Sequence, residues 1–399
     1  MQNRVAQRMS AISPSLTLAI SAKAKAMKAA GESVVSFGVG EPDFNTPEHI
    51  INAAKTALDN GQTKYTPSSG LLPLRKAVCE KFKKDNGLDY EPSQIVVSNG
   101  AKHSIFNACY ATLEEGDEVI IPAPYWLTYP EVVKVCGATP VYIECKKENK
   151  FKFTAEDLKK AITPKTKMLI FNSPSNPTGA VYNEEEVRAI AKVCEEAEIF
   201  VLADEIYEKL CYNGVKPFSI AACSEKMKDL TITVNGVSKT YAMTGWRVGY
   251  LAAPKDVAKA IDSFQSHATS NACSISQYAT IEALKSPDEE VEGMRKVFDA
   301  RRAKLLKLIE EIDGVSAVEP DGAFYVMLVV DGLYGKKYGD KEIKDSVSFA
   351  DILLDEEKVA TVPGISFGSP ECVRLSYALS DQDIEEGLAR IARFVAALK

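Results

Sequence analysis

Four short segments hold residues whose types and spacing could do chemistry. The run Gly236-Val237-Ser238-Lys239 leads into Met243-Thr244-Gly245-Trp246-Arg247-Val248-Gly249. Small neighbours leave the Lys239 amine free to meet a flat group, and the Arg247 fork suits a phosphate dianion. Alone, each reads as a surface lysine or a structural arginine; as an ordered set with small residues at defined offsets, they read as a site. The second segment, Ala203-Asp204-Glu205-Ile206-Tyr207, ends an apolar run on an acid that is costly to bury unpaired. A protonated heterocyclic nitrogen would be such a partner, and Tyr207 could reach a phenolate oxygen on the same ring. A strand-end Asp capping a loop is the alternative. In Asn172-Ser173-Pro174-Ser175-Asn176-Pro177-Thr178-Gly179, two prolines and a glycine make either a rigid loop that aims the Asn176 amide or an ordinary tight turn. Ser98-Asn99-Gly100-Ala101-Lys102 opens a helix, as a plain cap or with its first amides presented to an anion. Trp126, one of two tryptophans, could stack on an aromatic ring or fill core.

The elements around these segments alternate. Runs at 118–122, 139–145, 167–172, 199–205, 230–236 and 248–254 read as strands. A short helix closes at 134–137, Thr154 with Asp157 starts another to 162, and Asn183 caps a helix with glutamates in its first turn. This alternation argues for an α/β fold with a largely parallel sheet covered on both faces, whose ligand site lies at the C-terminal strand ends. Past residue 288 the texture changes to a long charged helix to 313, strands at 323–330, 359–362 and 373–377, and a helix capped by Asp381. The expected division is a large domain over 46–288 and a smaller α+β domain built from 1–45 and 289–399.

Composition removes whole classes. The 399 residues suit two domains, and 46% apolar with 26% charged residues excludes disorder, collagen and a small disulfide scaffold. A net charge of −7 gives no pull toward nucleic acid or anionic membrane, and no apolar stretch is long enough to span one. The N-terminal apolar piece is short and broken by Ser13, Ser15, Thr17 and Ser21, so no signal peptide is expected. Nine scattered cysteines without C-x-x-C point to reduced thiols and a cytoplasmic setting. Gly38-Val39-Gly40 is followed by Glu41-Pro42-Asp43, with no third glycine and a helix-stopping proline, which excludes a nicotinamide dehydrogenase fingerprint. Three histidines without H-E-x-x-H exclude a zinc hydrolase. A DNA-binding sensor would need an extra basic domain for which no residues remain.

Taken together, the lysine run, the Ser-Asn-Pro-Thr-Gly loop, Asp204-x-x-Tyr207, Gly40 to Asp43 and Lys64-Tyr65 resemble, in order, the fold-type I pyridoxal-phosphate (PLP) aminotransferases of the aspartate aminotransferase family. The resemblance covers nearly the whole chain. It implies a mostly parallel seven-stranded sheet between helices plus a smaller domain. It implies that Lys239 carries PLP on its amine and later moves the substrate proton. Asp204 would keep the ring nitrogen protonated, Asn176 and Tyr207 would hold the ring oxygen, and Trp126 would stack on the ring. Arg247, Ser238 and the amides of Gly100, Ala101 and Lys102 would bind the phosphate, joined by Tyr65 from the partner subunit of a homodimer. Arg374, in Cys372-Val373-Arg374-Leu375-Ser376, would clamp the substrate α-carboxylate beside Gly40, with Trp126 and Asn176 also touching substrate.

Two departures stand out. Many members place a Ser where Gly236 stands. The partner arginine that reads a side-chain carboxylate in one branch is missing from His267-Ala268-Thr269-Ser270-Asn271. Lys102, Ser15 and Thr17 match a bacterial branch that uses a lysine and nearby hydroxyls instead. The implied reaction is ping-pong amino transfer between L-aspartate and 2-oxoglutarate. A prephenate aminotransferase, or a broader aromatic or alanine enzyme, is the alternative.

Overall fold

A computed structural model of the chain describes residues 4–13 and 16–399. Seven strands form the main sheet: β1 (Ile95–Ser98), β2 (Glu118–Ala123), β3 (Thr139–Glu144), β4 (Thr166–Asn172), β5 (Phe200–Asp204), β6 (Thr231–Gly236) and β7 (Gly249–Ala252). Their order is β1-β7-β6-β5-β4-β2-β3, and only β7 runs against its neighbours. The inner strands are almost wholly buried because both faces are covered, β6 included despite Thr231, Thr233 and Asn235. Alternate residues feed different cores. Met168, Ile170, Leu202, Ile232 and Val234 pack on one side, while Leu169, Phe171, Val201 and Ala203 pack on the other.

The expected strands match these to within one or two residues at each end. Two expectations need correction. The run 359–362 is not one strand. Val359–Ala360 pairs in parallel with Val35–Ser36, and Val362–Pro363 joins a different sheet. The last helix, Asp381–Ala396, is capped by Ser380 rather than Asp381. Ser380 is extended and its Oγ accepts from the Asp383 N–H at 3.1 Å, leaving Asp381 as the first helical residue.

The second sheet is antiparallel, in the order Val362–Pro363, Cys372–Ser376, Tyr325–Val329, Ser316–Ala317. Val326, Leu328, Val373 and Leu375 enter a core with helices Asp288–Glu310, Ser346–Glu357 and Asp381–Ala396. Met327, Val329 and Cys372 face the main-sheet core, so this sheet is packed on both faces. Helix Leu16–Ala29 packs through Ile20 and Ala24 on Leu354 of helix Ser346–Glu357 and on Ala360 of the parallel pair with Val35–Ser36. Arg301 locks Asp43 bidentately at 2.7 and 2.9 Å, tying the Gly40–Asp43 run to the long helix. All nine cysteines are free thiols. No helix among the described residues is long and apolar enough to cross a membrane.

Candidate active site

The C-terminal ends of β4, β5 and β6 place Asn172, Asp204 and Gly236 along one edge of the main sheet. Gly249, the first residue of antiparallel β7, pairs with both Ser98 and Gly236. A Cβ on Gly249 would lie 2.2 Å from the Ala101 nitrogen, so only glycine lets helix Ala101–Thr112 begin this close to the sheet. A Cβ on Gly236 would meet the Gly249 Cα at 3.0 Å and the Val248 carbonyl oxygen at 3.1 Å. A side chain there would need its neighbours to give by a few tenths of an ångström. Above this edge opens a cleft of about 540 Å³.

One wall of the cleft is built for an anion. Gly100 caps the helix without a side-chain partner, and the Ala101 and Lys102 amides have no acceptor among the described residues. Arg247 sits at φ +54° and donates to the carbonyl oxygens of Thr244 at 2.8 Å and Asn99 at 3.5 Å. Among the described residues no carboxylate pairs with it.

The floor holds the opposite charge. Asp204 is 3% exposed, and its Oδ2 accepts from Tyr129 Oη at 2.8 Å while Oδ1 accepts from the Ile206 N–H at 3.2 Å. Both donors are neutral, and burial pushes the carboxyl up to about 6. Asn172 braces the same floor. Its amide donates to the Asp204 carbonyl oxygen and its Oδ1 accepts from the Asn176 N–H, each at 2.9 Å.

Lys239 follows β6 on the turn 237–240, and its amine donates to the Gly40 carbonyl oxygen. Burial lowers it to about 8, against the opposing pull of Glu41. Thr244 Oγ1 holds Glu41 at 2.8 Å. Trp126 lies across the cleft with the Lys102 amine 4.8 Å from its ring centre. Burial, and then the Arg247 charge, lower Lys102.

Arg374 comes from the second sheet and is 3% exposed. Its Nη1 donates to Asn176 Oδ1 at 2.9 Å and its Nη2 to the Gly38 carbonyl oxygen at 3.2 Å. Its Nε is buried with no partner among the described residues, and its flat faces meet the rings of Tyr325 and Phe367. A buried guanidinium with only neutral partners lacks an anion.

Most of the expected residues meet here. Gly40, Ala101, Lys102, Trp126, Asn176, Asp204, Tyr207, Ser238, Lys239, Arg247, Arg374 and Thr17 line the cleft. Gly100 stands behind it, with room only for the Arg247 guanidinium where a Cβ would be. The Thr17 hydroxyl is buried without a partner among the described residues. Tyr65 is 90% exposed and outside the cleft of its own chain. Ser15 lies outside the described residues. Sequence reasoning missed Tyr129, Tyr325 and Glu41 as lining residues, and it read Asn172 only as the start of a loop. Tyr129 follows Trp126 by one turn, which was the available signal; Tyr325 looks like any strand aromatic.

Unpaired charge is thus distributed over one cleft: an anion cradle, a buried acid, a depressed amine, a flat aromatic wall and a buried guanidinium. The comparisons agree on a family. A family model described as aminotransferase class I and II matches residues 32–391. The chain is 51% identical over 398 residues to a Bacillus subtilis aspartate aminotransferase, covering 98% of this chain and 99% of that one. It is 46% identical to a probable aspartate/prephenate aminotransferase of Aquifex aeolicus, covering 98% and 99%. The crystal structure of an aspartate aminotransferase from Rhizobium meliloti superposes with a TM-score of 0.96 at 43% identity, over the full length of both chains. The chain belongs to the class I and II aminotransferases.

Proposed function

We propose that this enzyme transfers the amino group reversibly between L-aspartate and 2-oxoglutarate, giving oxaloacetate and L-glutamate, with pyridoxal 5′-phosphate as its cofactor. The carrying observation is a pair of cations without carboxylate partners among the described residues, Arg374 and Lys102, in the same cleft as Lys239. Two cations suit the two carboxylates of aspartate, glutamate and their oxo acids.

The residues fit PLP. Asp204, buried with no cation in contact among the described residues, suits a protonated ring nitrogen; the Arg247 guanidinium and the first helical amides suit the phosphate; Trp126 suits the ring face. When bound, PLP supplies a ring that accepts the electrons of the substrate Cα–H bond. Lys239 Nζ, with its affinity for a proton lowered by burial, would take the Cα proton and pass it to the cofactor carbon that bears the transferred nitrogen, and would carry it back to Cα in the reverse direction. Tyr207 and Asn176 hold the ring oxygen, and Arg374 aligns the α-carboxylate so that the Cα–H bond faces the amine. Thr17 and Lys102, with Ser15, read the side-chain carboxylate.

The exposed Tyr65 suits a homodimer in which each subunit completes the phosphate site of the other, in the cytoplasm. The test is direct. Purified enzyme with aspartate and 2-oxoglutarate should release glutamate and oxaloacetate, with parallel-line kinetics of a ping-pong cycle. Absence of glutamate from any amino donor overturns the proposal. Prephenate is the second reading for the acceptor, since it is also a dicarboxylate and several relatives near 46% identity are named for it.

A further inference from the structure

The proposed reading leaves one buried hydroxyl in the cleft without a role. Tyr325 lies on the strand Tyr325–Val329 and is 1% exposed. Its Oη is 3.0 Å from Tyr207 Oη, and its ring centre is 4.4 Å from the Arg374 guanidinium carbon. Arg374 stands on the adjoining strand opposite Met327, two residues along from Tyr325. Among the described residues, Tyr207 is the only hydrogen-bond partner of that hydroxyl. One side chain therefore touches both the proposed carboxylate clamp and the phenol proposed to hold the ring oxygen.

Two phenols at this distance share one hydrogen bond, and either can donate. Once Tyr207 turns its proton toward an anionic ring oxygen, its own oxygen becomes an acceptor, and Tyr325 is placed to donate to it. Burial raises both phenols, and the Arg374 charge opposes the rise at each of them, so both keep their protons and can share them. The donor is set by geometry: with the Tyr207 proton turned to the ring oxygen, the Tyr325 hydroxyl is the one group among the described residues beside the Tyr207 oxygen that can donate to it. Donation into the Tyr207 oxygen polarises its O–H and strengthens the outward bond.

We infer that Tyr325 is a positioning residue of this site: its hydroxyl sets the direction of the Tyr207 proton, and its ring face holds Arg374. The inference rests on the reading of PLP-dependent amino transfer.

The experiment is a pH titration of the visible absorbance of bound PLP, without substrate, in wild type, Tyr325→Phe, Tyr207→Phe and the double variant. Tyr325→Phe should move the midpoint upward by about half a unit, because a weaker Tyr207 bond leaves the ring oxygen more basic. Tyr207→Phe should move it further, and the double variant should match Tyr207→Phe alone, since the Tyr325 hydroxyl acts through Tyr207. The retained Phe ring should keep affinity for the unreactive dicarboxylate succinate within about two-fold. An unmoved midpoint in Tyr325→Phe, or a shift that adds in full to that of Tyr207→Phe, overturns the inference. A wild-type protein that binds no PLP overturns the underlying reading and the inference with it, and is seen before any variant is compared.

Discussion

Tyr129 Oη donates to Asp204 Oδ2 at 2.8 Å, and no cation among the described residues meets that buried carboxylate. The cofactor-free protein therefore holds its acid in an unfavourable setting that a ring cation would relieve.

A stability test follows from this. The native carboxyl is held at about 6 against its ordinary 3.8, so the native state binds the extra proton between those values. Its folded affinity is raised, so stability is lost as pH rises from about 4 to about 6, by roughly 3 kcal/mol in total. Asp204→Asn removes that loss. Cofactor-free Asp204→Asn should unfold in urea with a free energy higher by about 1–3 kcal/mol at pH 7.5, yet bind PLP about 100-fold more weakly or worse. A less stable variant with unchanged PLP affinity contradicts the assignment.

Lys239 should behave as the most reactive internal amine. Its pKa of about 8 leaves it half neutral near that pH, where lysines at the ordinary 10.5 remain protonated. Labelling of the cofactor-free protein with an amine-directed reagent, followed by mass spectrometry, should rise through pH 8 at Lys239 first. Lys239→Ala should still take up PLP through the phosphate wall, with transamination reduced by about 10⁴-fold. Substantial residual turnover contradicts its role.

The Arg374 fork makes a sharper case than its charge alone. Arg374→Ala should lower kcat/KM for aspartate by about 10³-fold, and Arg374→Lys should restore only part of it, because a point charge cannot grip both carboxylate oxygens. Full rescue by lysine would show that bidentate geometry is irrelevant.

Lys102 is the residue that distinguishes the two proposed carboxylate sites. Lys102→Ala should reduce kcat/KM for aspartate by about 100-fold and leave alanine within a few-fold, since alanine has no second carboxylate. Equal losses on both would reassign Lys102 to the phosphate wall, which its neighbour Arg247 also serves.

What could be read from the chain was local. Asn176, Asp204, Lys239 and Arg247 each sit at a strand end whose apolar run and small neighbours are contiguous in sequence, so strand, turn and reactive group appear together. The contacts that complete the site are not contiguous. Tyr129 meets Asp204 across 75 positions, Tyr325 meets Tyr207 across 118, and Arg374 meets Asn176 across 198. No periodicity reports such meetings. Gly236 and Gly249 were visible as small residues at defined offsets, but the reason, backbone approach within van der Waals distance, exists only after β7 inserts between β1 and β6. The Ser380-Asp381 pair offered two competent caps in a row, and the extended backbone at Ser380 decided between them. The capping boxes at Thr154 and Asn183 had no such rival and formed where the sequence put them.

The most direct test of the central claim is an absorbance titration of the PLP-loaded enzyme with single amino acids: aspartate, glutamate, alanine, phenylalanine, tyrosine and lysine. Aspartate and glutamate should convert the visible band to the amino form at the lowest concentrations, and oxaloacetate or 2-oxoglutarate should restore it. A band that no amino acid converts, or that alanine and phenylalanine convert as readily as aspartate, would contradict the dicarboxylate transaminase described here.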